Sequence, residues 1–417
     1  MEKSGKFRLT SLERNWILYD VGNSAFVLMV ATLIPIFFNA LAAAGGLSSV
    51  EYLAYWGYAS SAVTIITAVL SPILGTVADT KGFKKPIFIL CVFVGIVGCC
   101  AMGAVSAWLP FLVIFVIAKV GFSGSLVFYD SMLSDVTTPE RMDEVSSRGY
   151  AWGYIGSCIP FVACLGLVLG AGSIGISQMT ALNLALLLTA AWWLLTTLPL
   201  LKSYKQLYYV EVEKHAVRQS FARIGHTLRH LPEDKQVFWF LLAFFCYIDG
   251  VYTIIDMATA YGTALGLDTT GLLLALLVTQ IVAFPSALVF GRLSNKYPSA
   301  KLIPVCIAAY AGIAVFAFFL TRQWQFWVLA VIVGMFQGGV QALSRSHFAK
   351  IIPPEKSGEY FGLFDICGKG ASFLGTMIVS VGSQLTGSAN VGVGSLILLF
   401  IVGFVLFRVS CRQSETA

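Results

Sequence analysis

Charge is scarce in this sequence. Asp, Glu, Lys and Arg make up 12% of its 417 residues and hydrophobic residues 58%, with a mean hydropathy of +0.82. That balance excludes the soluble globular classes. Histidine is rarer still: His215, His226, His230 and His347 are the only four, and none falls in the middle of an apolar run. His226 and His230 stand i,i+4, but no set of acids or cysteines accompanies them, so neither a metal nor a cofactor is expected. Nothing in the sequence supports an enzyme. A Gly-x-x-x-x-Gly-Lys run is missing, which argues against ATP-driven work. No basic stripe interleaved with aromatics suggests nucleic acid. The nine cysteines lack metal-ligand spacing, and free thiols that pack as small side chains are expected.

What is present is a series of apolar stretches, each long enough to cross a bilayer. A hydrocarbon core roughly 30 Å thick needs about 20 helical residues. Twelve spans are read near 16–41, 54–78, 86–107, 110–132, 149–171, 178–200, 236–261, 269–291, 302–321, 325–347, 360–383 and 390–409. Helices are required, because hydrocarbon leaves an open strand's backbone unsatisfied and the runs lack a barrel's alternation. The first run is too long for the apolar core of a cleavable signal. The even-numbered connections are basic: Lys81, Lys84 and Lys85 follow the second span, Lys202 to Lys235 the sixth, Arg292, Lys296 and Lys301 the eighth. On the other side stands only Arg322. The positive-inside rule therefore places both termini in the cytoplasm of a bacterial-type cell. Trp108, Trp192, Trp193, Trp324 and Trp327 are expected at the interfaces. Gly166/Gly170, Gly334/Gly338 and Gly358/Gly362 are expected at close helix crossings.

The chain divides into residues 1–201, a polar, partly amphipathic linker 202–235 (Phe221, Ile224, Leu228, Leu231), and residues 236–417. The linker is expected to lie along the membrane surface. Gly75 to Lys85 after span two is echoed by Gly291 to Lys301 after span eight. Pro139-Glu140-Arg141 is echoed by Pro354-Glu355-Lys356. The offsets, 216 and 215 residues, nearly agree and imply two parallel six-span repeats.

The Gly75-x-x-x-Asp79-x-x-Gly82-x-Lys84-Lys85 pattern resembles the loop signature of the major facilitator superfamily, and Asn295 replaces the acid in its second copy. Four further segments are similar to the vacuole-effluxer-like, or unknown-major-facilitator, branch. They are Trp16-x-x-Tyr19-Asp20-x-Gly22-Asn23-Ser24-Ala25-Phe26, Ser147-Arg148-Gly149-Tyr150-Ala151-Trp152-Gly153-Tyr154-Ile155-Gly156, Gln337 to Ser346, and Gly362-x-x-Asp365-x-x-Gly368-Lys369. The resemblance implies an all-α membrane protein of twelve helices in two pseudo-symmetric bundles. It also implies amino-acid traffic, since the eukaryotic members are associated with vacuolar efflux.

Asp79, with Gly75, Lys84 and Lys85, is placed to latch onto backbone amides at a neighbouring helix N-terminus. The bland alternative is a basic loop that only sets topology. Arg345 is read as the latch's counterpart, closing against acids of the cytoplasmic loops. Charges inside spans are costly, so they face water or a partner. Lys119 in span four and Asp249 in span seven suit a zwitterion, with Asp249 taking the amine or a coupling proton. The alternative for Lys119 is a structural pair with Asp130. Asp256, seven residues past Asp249, is read as a vestibule acid or a gate. Asp365 and Lys369, i,i+4, are read as a neutralising pair or one that opens during transport. Asp20, Asn23 and Ser24 either bind cargo or seal the first span against the fifth. Gln337, Gln341 and Gln280 either contact cargo or join helices.

Together these features predict a monomeric secondary carrier of a small polar, amino-acid-like solute, coupled to protons and embedded in the lipid bilayer. Two other readings stay open. One is a carrier of amphiphiles, and the other a receptor or scaffold that no longer transports.

Overall fold

The computed structural model describes residues 7–211, 225–227 and 229–416, which form an all-helical assembly. In chain order the first half contains α1 (Ser11–Ala31), α2 (Leu33–Ala44), α3 (Ser49–Ala78), α4 (Lys84–Met102), α5 (Trp108–Ser131), the short α6 (Leu133–Val136), α7 (Met142–Leu169) and α8 (Gln178–Ser203). The second half contains α9 (Lys235–Ala264), α10 (Thr269–Leu293), α11 (Ser299–Phe318), α12 (Gln323–Ile351), α13 (Ser357–Thr386), α14 (Ala389–Gly394) and α15 (Ile397–Thr416). Among the described residues eleven helical segments are long and apolar enough to cross a membrane. The thirty-residue α13 stands where the eleventh of the twelve expected spans should be.

Local chemistry accounts for where the helices start and break. Thr10 caps α1 in a capping box with Glu13, and Ser48 does the same for α3 with Glu51. The first span is two helices, because Thr32 leaves helical geometry at φ −131°, ψ −76°. Pro35 follows three residues later, and its ring cannot sit against the Ala31 carbonyl in an unbroken helix. Glu13 also anchors α1 from below: Arg141 donates to both of its oxygens at 2.7 Å, and Thr137 donates at 2.6 Å.

Two expectations are corrected. Trp193 is not an interfacial anchor. It is fully buried and stacks on Phe26, with ring centroids 5.6 Å apart, inside the first half. A Cβ on Gly166 would meet nothing within 4 Å, so no close crossing occurs there. Gly334, Gly358 and Gly362 do meet neighbouring backbone. Phe221, Ile224 and Leu228 of the linker lie outside the described residues.

Both described ends of the chain lie on one face, hereafter the terminal face. The two halves meet where α3 packs on α13 and where α7 packs on α10 and α12.

Candidate functional site

The loop after α3 and the start of α13 form the first element of the site. Asp79 caps α3 and is fully buried. Its carboxylate accepts from the Gly358 amide at 2.7 Å and the Glu359 amide at 2.8 Å, both at the N-terminus of α13. An anion there satisfies donors that the helix itself cannot, and it complements the helix dipole. The approach needs two glycines. A Cβ on Gly75 would lie 2.1 Å from the Gly358 carbonyl oxygen, and one on Gly358 would lie 2.5 Å from that of Gly75. Lys84, also buried, sits 3.8 Å from Asp79 and 3.4 Å from Asp135, and it donates to Ser357 at 2.8 Å. Burial pushes the Asp79 carboxyl up to about 7, outweighing the pull of Lys84 and the two amides. Lys85 is not part of this latch: its ammonium points to the Tyr204 carbonyl, 3.5 Å away.

The first described stretch of the linker folds back under the latch. Val210 donates its amide to the Asp79 carbonyl at 2.8 Å, and Gln206 bonds Ala78 and Gly82. Asp135 holds this stretch by accepting from the Leu207 and Tyr208 amides, each at 2.9 Å, and from the Tyr204 hydroxyl at 2.6 Å.

Arg345 forms the second element, six residues before the end of α12. Its acids are not those of the loops, contrary to the expectation from sequence. From α12 the guanidinium reaches into the first half, donating to Asp130 at 3.0 Å, to the Ser146 hydroxyl at 2.9 Å and to the Ser146 carbonyl at 3.0 Å. Asp20 stands 3.7 Å away. Trp16, Tyr129 and Tyr150 box the cation, their ring centroids 4.3–5.3 Å from it. A planar, delocalised cation with five donors suits such a box, and a lysine could not fill it. Asp20 and Ser24 lie against α7, where Gly149 and Gly153 leave them room. Asn23 is buried and donates to the Tyr19 carbonyl at 3.1 Å.

The loop acids bind other parts of the second half. Asp143 accepts from Ser346 and Lys350, each at 2.6 Å. Glu144 accepts from Asn295 at 2.7 Å. This last contact explains the degraded second signature. In the first copy, the acid is on the loop and docks on helix amides. In the second, an amide is on the loop and docks on an acid in the first turn of α7. The polarity is reversed and the geometry is kept. Asn295→Asp should set two carboxylates against each other and open this corner. The expected result is faster proteolysis or deuterium uptake at 292–298 with the latch unaffected.

Further from the terminal face, Ser71 donates to Asp365 at 2.7 Å and Tyr154 to Gln341 at 3.0 Å, both across the halves. Asp365 and Gln341 therefore act in the seam. The side chain of Lys369, its expected partner, lies outside the described residues. The inter-half bonds named here run from the terminal face inward as far as Asp365 and Gln341.

Toward the opposite face the charged side chains are accessible. Asp256 is exposed and Lys119 is half-buried. The two come from different halves and lie within electrostatic reach of each other, and the Lys119 ammonium sits 4.7 Å from the Phe122 ring centroid. Asp130 is engaged by Arg345, not by Lys119. Asp249 does not line this space: it is fully buried between α9 and α13. Gln337 and Gln280, with Thr253 and Thr279, border a small, largely apolar chamber within the second half. No potential metal cluster exists among the described residues.

Sequence reasoning missed Asp135, Ser146 and the aromatic box. Two signals were available. Ser146 directly precedes the Ser147–Gly156 segment, and Asp135 sits four residues before Pro139.

Comparison with known proteins gives the family and the fold. A family model described as vacuole effluxer Atg22 like matches residues 11–416. The MFS-type transporter YxiO of Bacillus subtilis is 42% identical over 414 residues, covering 98% of this chain and 97% of that one. Autophagy-related protein 22 of Saccharomyces cerevisiae is 27% identical over 283 residues, 58% of this chain and 53% of that one. Among solved structures, the human organic anion transporter MFSD10 superposes with a TM-score of 0.72 at 14% identity, covering 95% and 99% of the two chains. FucP in the outward conformation gives 0.71 at 16%, covering 96% and 97%. Both share the fold.

Proposed function

From the premise that this chain belongs to the Atg22-like vacuole effluxer family of major-facilitator transporters, an integral multi-pass membrane family and not an enzyme family, we propose that it carries a small, amino-acid-like zwitterion across the bacterial cytoplasmic membrane by alternating access. The terminal face is then cytoplasmic, and the conformation described here is the outward-facing one. The observation that carries this reading is the pair Lys119 and Asp256. One cation and one anion from opposite halves are reachable from the open side while the Arg345 cluster closes the other. A carboxylate would sit against Lys119 and an ammonium against Asp256. Drawing the two charges together would pull the halves toward each other at the outer mouth. Differential binding of this kind is what shifts a two-state carrier.

The test is uptake by the purified protein in proteoliposomes against an amino-acid panel, with and without a pH gradient. Lys119→Ala and Asp256→Asn should each lower uptake of the accepted solute by at least tenfold, with unchanged expression and melting behaviour. Normal transport by both variants would sink the zwitterion site. The apolar chamber favours one second reading, an amphiphilic cargo, so the panel includes a quaternary-amine drug and a lysolipid.

A further inference from the structure

The central acid of α9 has surroundings quite unlike those of the other charges in the spans. Asp249 is fully buried about halfway along a thirty-residue helix. Its carboxylate oxygens both accept from one donor, the Gly375 amide of α13, each at 2.9 Å, and Oδ1 also accepts from the Thr253 hydroxyl at 3.2 Å. Among the described residues, no lysine, arginine or histidine of α9 or of the helices packed on it pairs with this carboxylate. The Cys246 thiol, one turn away on α9, is in electrostatic contact with it. A carboxylate held in hydrocarbon by neutral donors alone is expensive to keep charged, and binding a proton removes that cost.

The pocket can satisfy both protonation states. Thr253 donates to the anion. Once Asp249 is protonated, its O–H can donate to the Thr253 oxygen, while the threonine proton turns to the carbonyl one turn back along α9. The Gly375 amide keeps the other oxygen in either state. Position 375 must be glycine for this contact: an added Cβ would lie 2.6 Å from Asp249 Oδ1 and 2.1 Å from the Thr253 hydroxyl oxygen. Thr253 also borders the apolar chamber of the second half.

We propose that Asp249 is the proton-binding carboxyl of the transport cycle, read mechanically by α13 through Gly375. Its place in a cycle rests on the carrier reading above. The step is simple: a proton from the outer solution joins the carboxylate to give the neutral acid, and it leaves to the cytoplasm in the alternate conformation. The amine role is thereby assigned away from Asp249, since no cargo atom could reach it as it stands. The coupling runs along one helix. The N-terminus of α13 is held by Asp79, and its middle is held by Asp249, so the grip at 375 bears on the latch at 358–359.

The test needs no cargo, so it stays separate from the fate of the zwitterion site. Full-length protein labelled with ¹³C-aspartate, in lipid nanodiscs, is titrated by infrared difference spectroscopy. Asp249→Asn should remove one carbonyl band of the protonated carboxyl, and Thr253→Val should move that band's transition to higher pH because the anion loses a donor. If Asp249→Asn fails to fold, the Thr253→Val shift decides alone. A wild-type spectrum from Asp249→Asn, or an unmoved transition in Thr253→Val, would overturn the assignment. For a solute accepted in the panel, Asp249→Asn should abolish pH-driven accumulation yet retain exchange at equilibrium. Accumulation at the wild-type level would likewise overturn it.

Discussion

Arg345→Met should all but stop transport and open the terminal face. The methionine keeps most of the volume but strands Asp130 and Asp20 beside each other in a closed space, and it unpairs the Ser146 carbonyl. Removing one member of a buried ion pair costs ~3–5 kcal/mol, because the remaining charge loses its compensation. At ~1.4 kcal/mol per factor of ten, that is enough to turn a mostly closed terminal face into a mostly open one. Initial uptake should fall on the order of 100-fold, and the distance between probes at Lys81 and Lys296, exposed on opposite halves of that face, should lengthen. Adding Asp130→Asn and Asp20→Asn to Arg345→Met removes the stranded charges. That triple variant should regain thermal stability without regaining transport. Arg345→Lys should fall between, since an ammonium cannot bond Asp130 and both Ser146 oxygens from one position. If Arg345→Met transported normally with an unchanged probe distance, the cluster would be no gate.

The parts of this picture that could be read from the sequence are those set by the bilayer. Spans, their order and the charge bias follow from rules that need no tertiary information: length against hydrocarbon thickness and lysine or arginine by loop. The docking of Asp79 on backbone amides was legible for a similar reason. Asp79 sits at a helix end with glycine at Gly75, and an acid there has few uses besides meeting amide donors. Arg345 was not legible. One residue's rotation about its helix decides whether it faces loops or the first half, and helix tilt within a bundle sets that rotation. The same limit applied to span seven. A seven-residue spacing puts Asp249 and Asp256 on one face, but α9 is wide enough for one to enter the packed interior and the other the open vestibule. The sequence therefore pairs Lys119 with Asp249, which is buried, whereas Asp256, about two turns further along α9, is exposed and within electrostatic reach of Lys119. Asn295 shows the opposite case. As a sequence it is a decayed repeat, and only its bond to Glu144 reveals an exchanged donor and acceptor.

Asp79→Ala should produce the second large effect, by a different route. Its carboxylate satisfies two amides at the start of α13, and hydrogen bonds to a charged group contribute ~1.5–3 kcal/mol each. Losing both should shift the terminal face toward open by at least tenfold in population, lengthening the Lys81–Lys296 probe distance while the Arg345 cluster still resists. Gly358→Leu should do the same by bulk alone, since its Cβ would already press on Gly75. The pH dependence has a definite sign. The latched carboxyl is held near 7 by burial, whereas a released, solvated aspartate titrates at ~3.9. The latched form is thus the better proton acceptor, so acidifying from about pH 8 to about pH 6 favours closure, and this contribution fades as pH rises through the latched value. Asp79→Asn cannot titrate, and one of its two side-chain positions presents N–H donors to an amide that needs an acceptor. It should therefore be partly open at every pH and lose the pH response of the probe distance. A wild-type response in Asp79→Asn would mean that another group senses pH on this face, and that the latch works through shape alone.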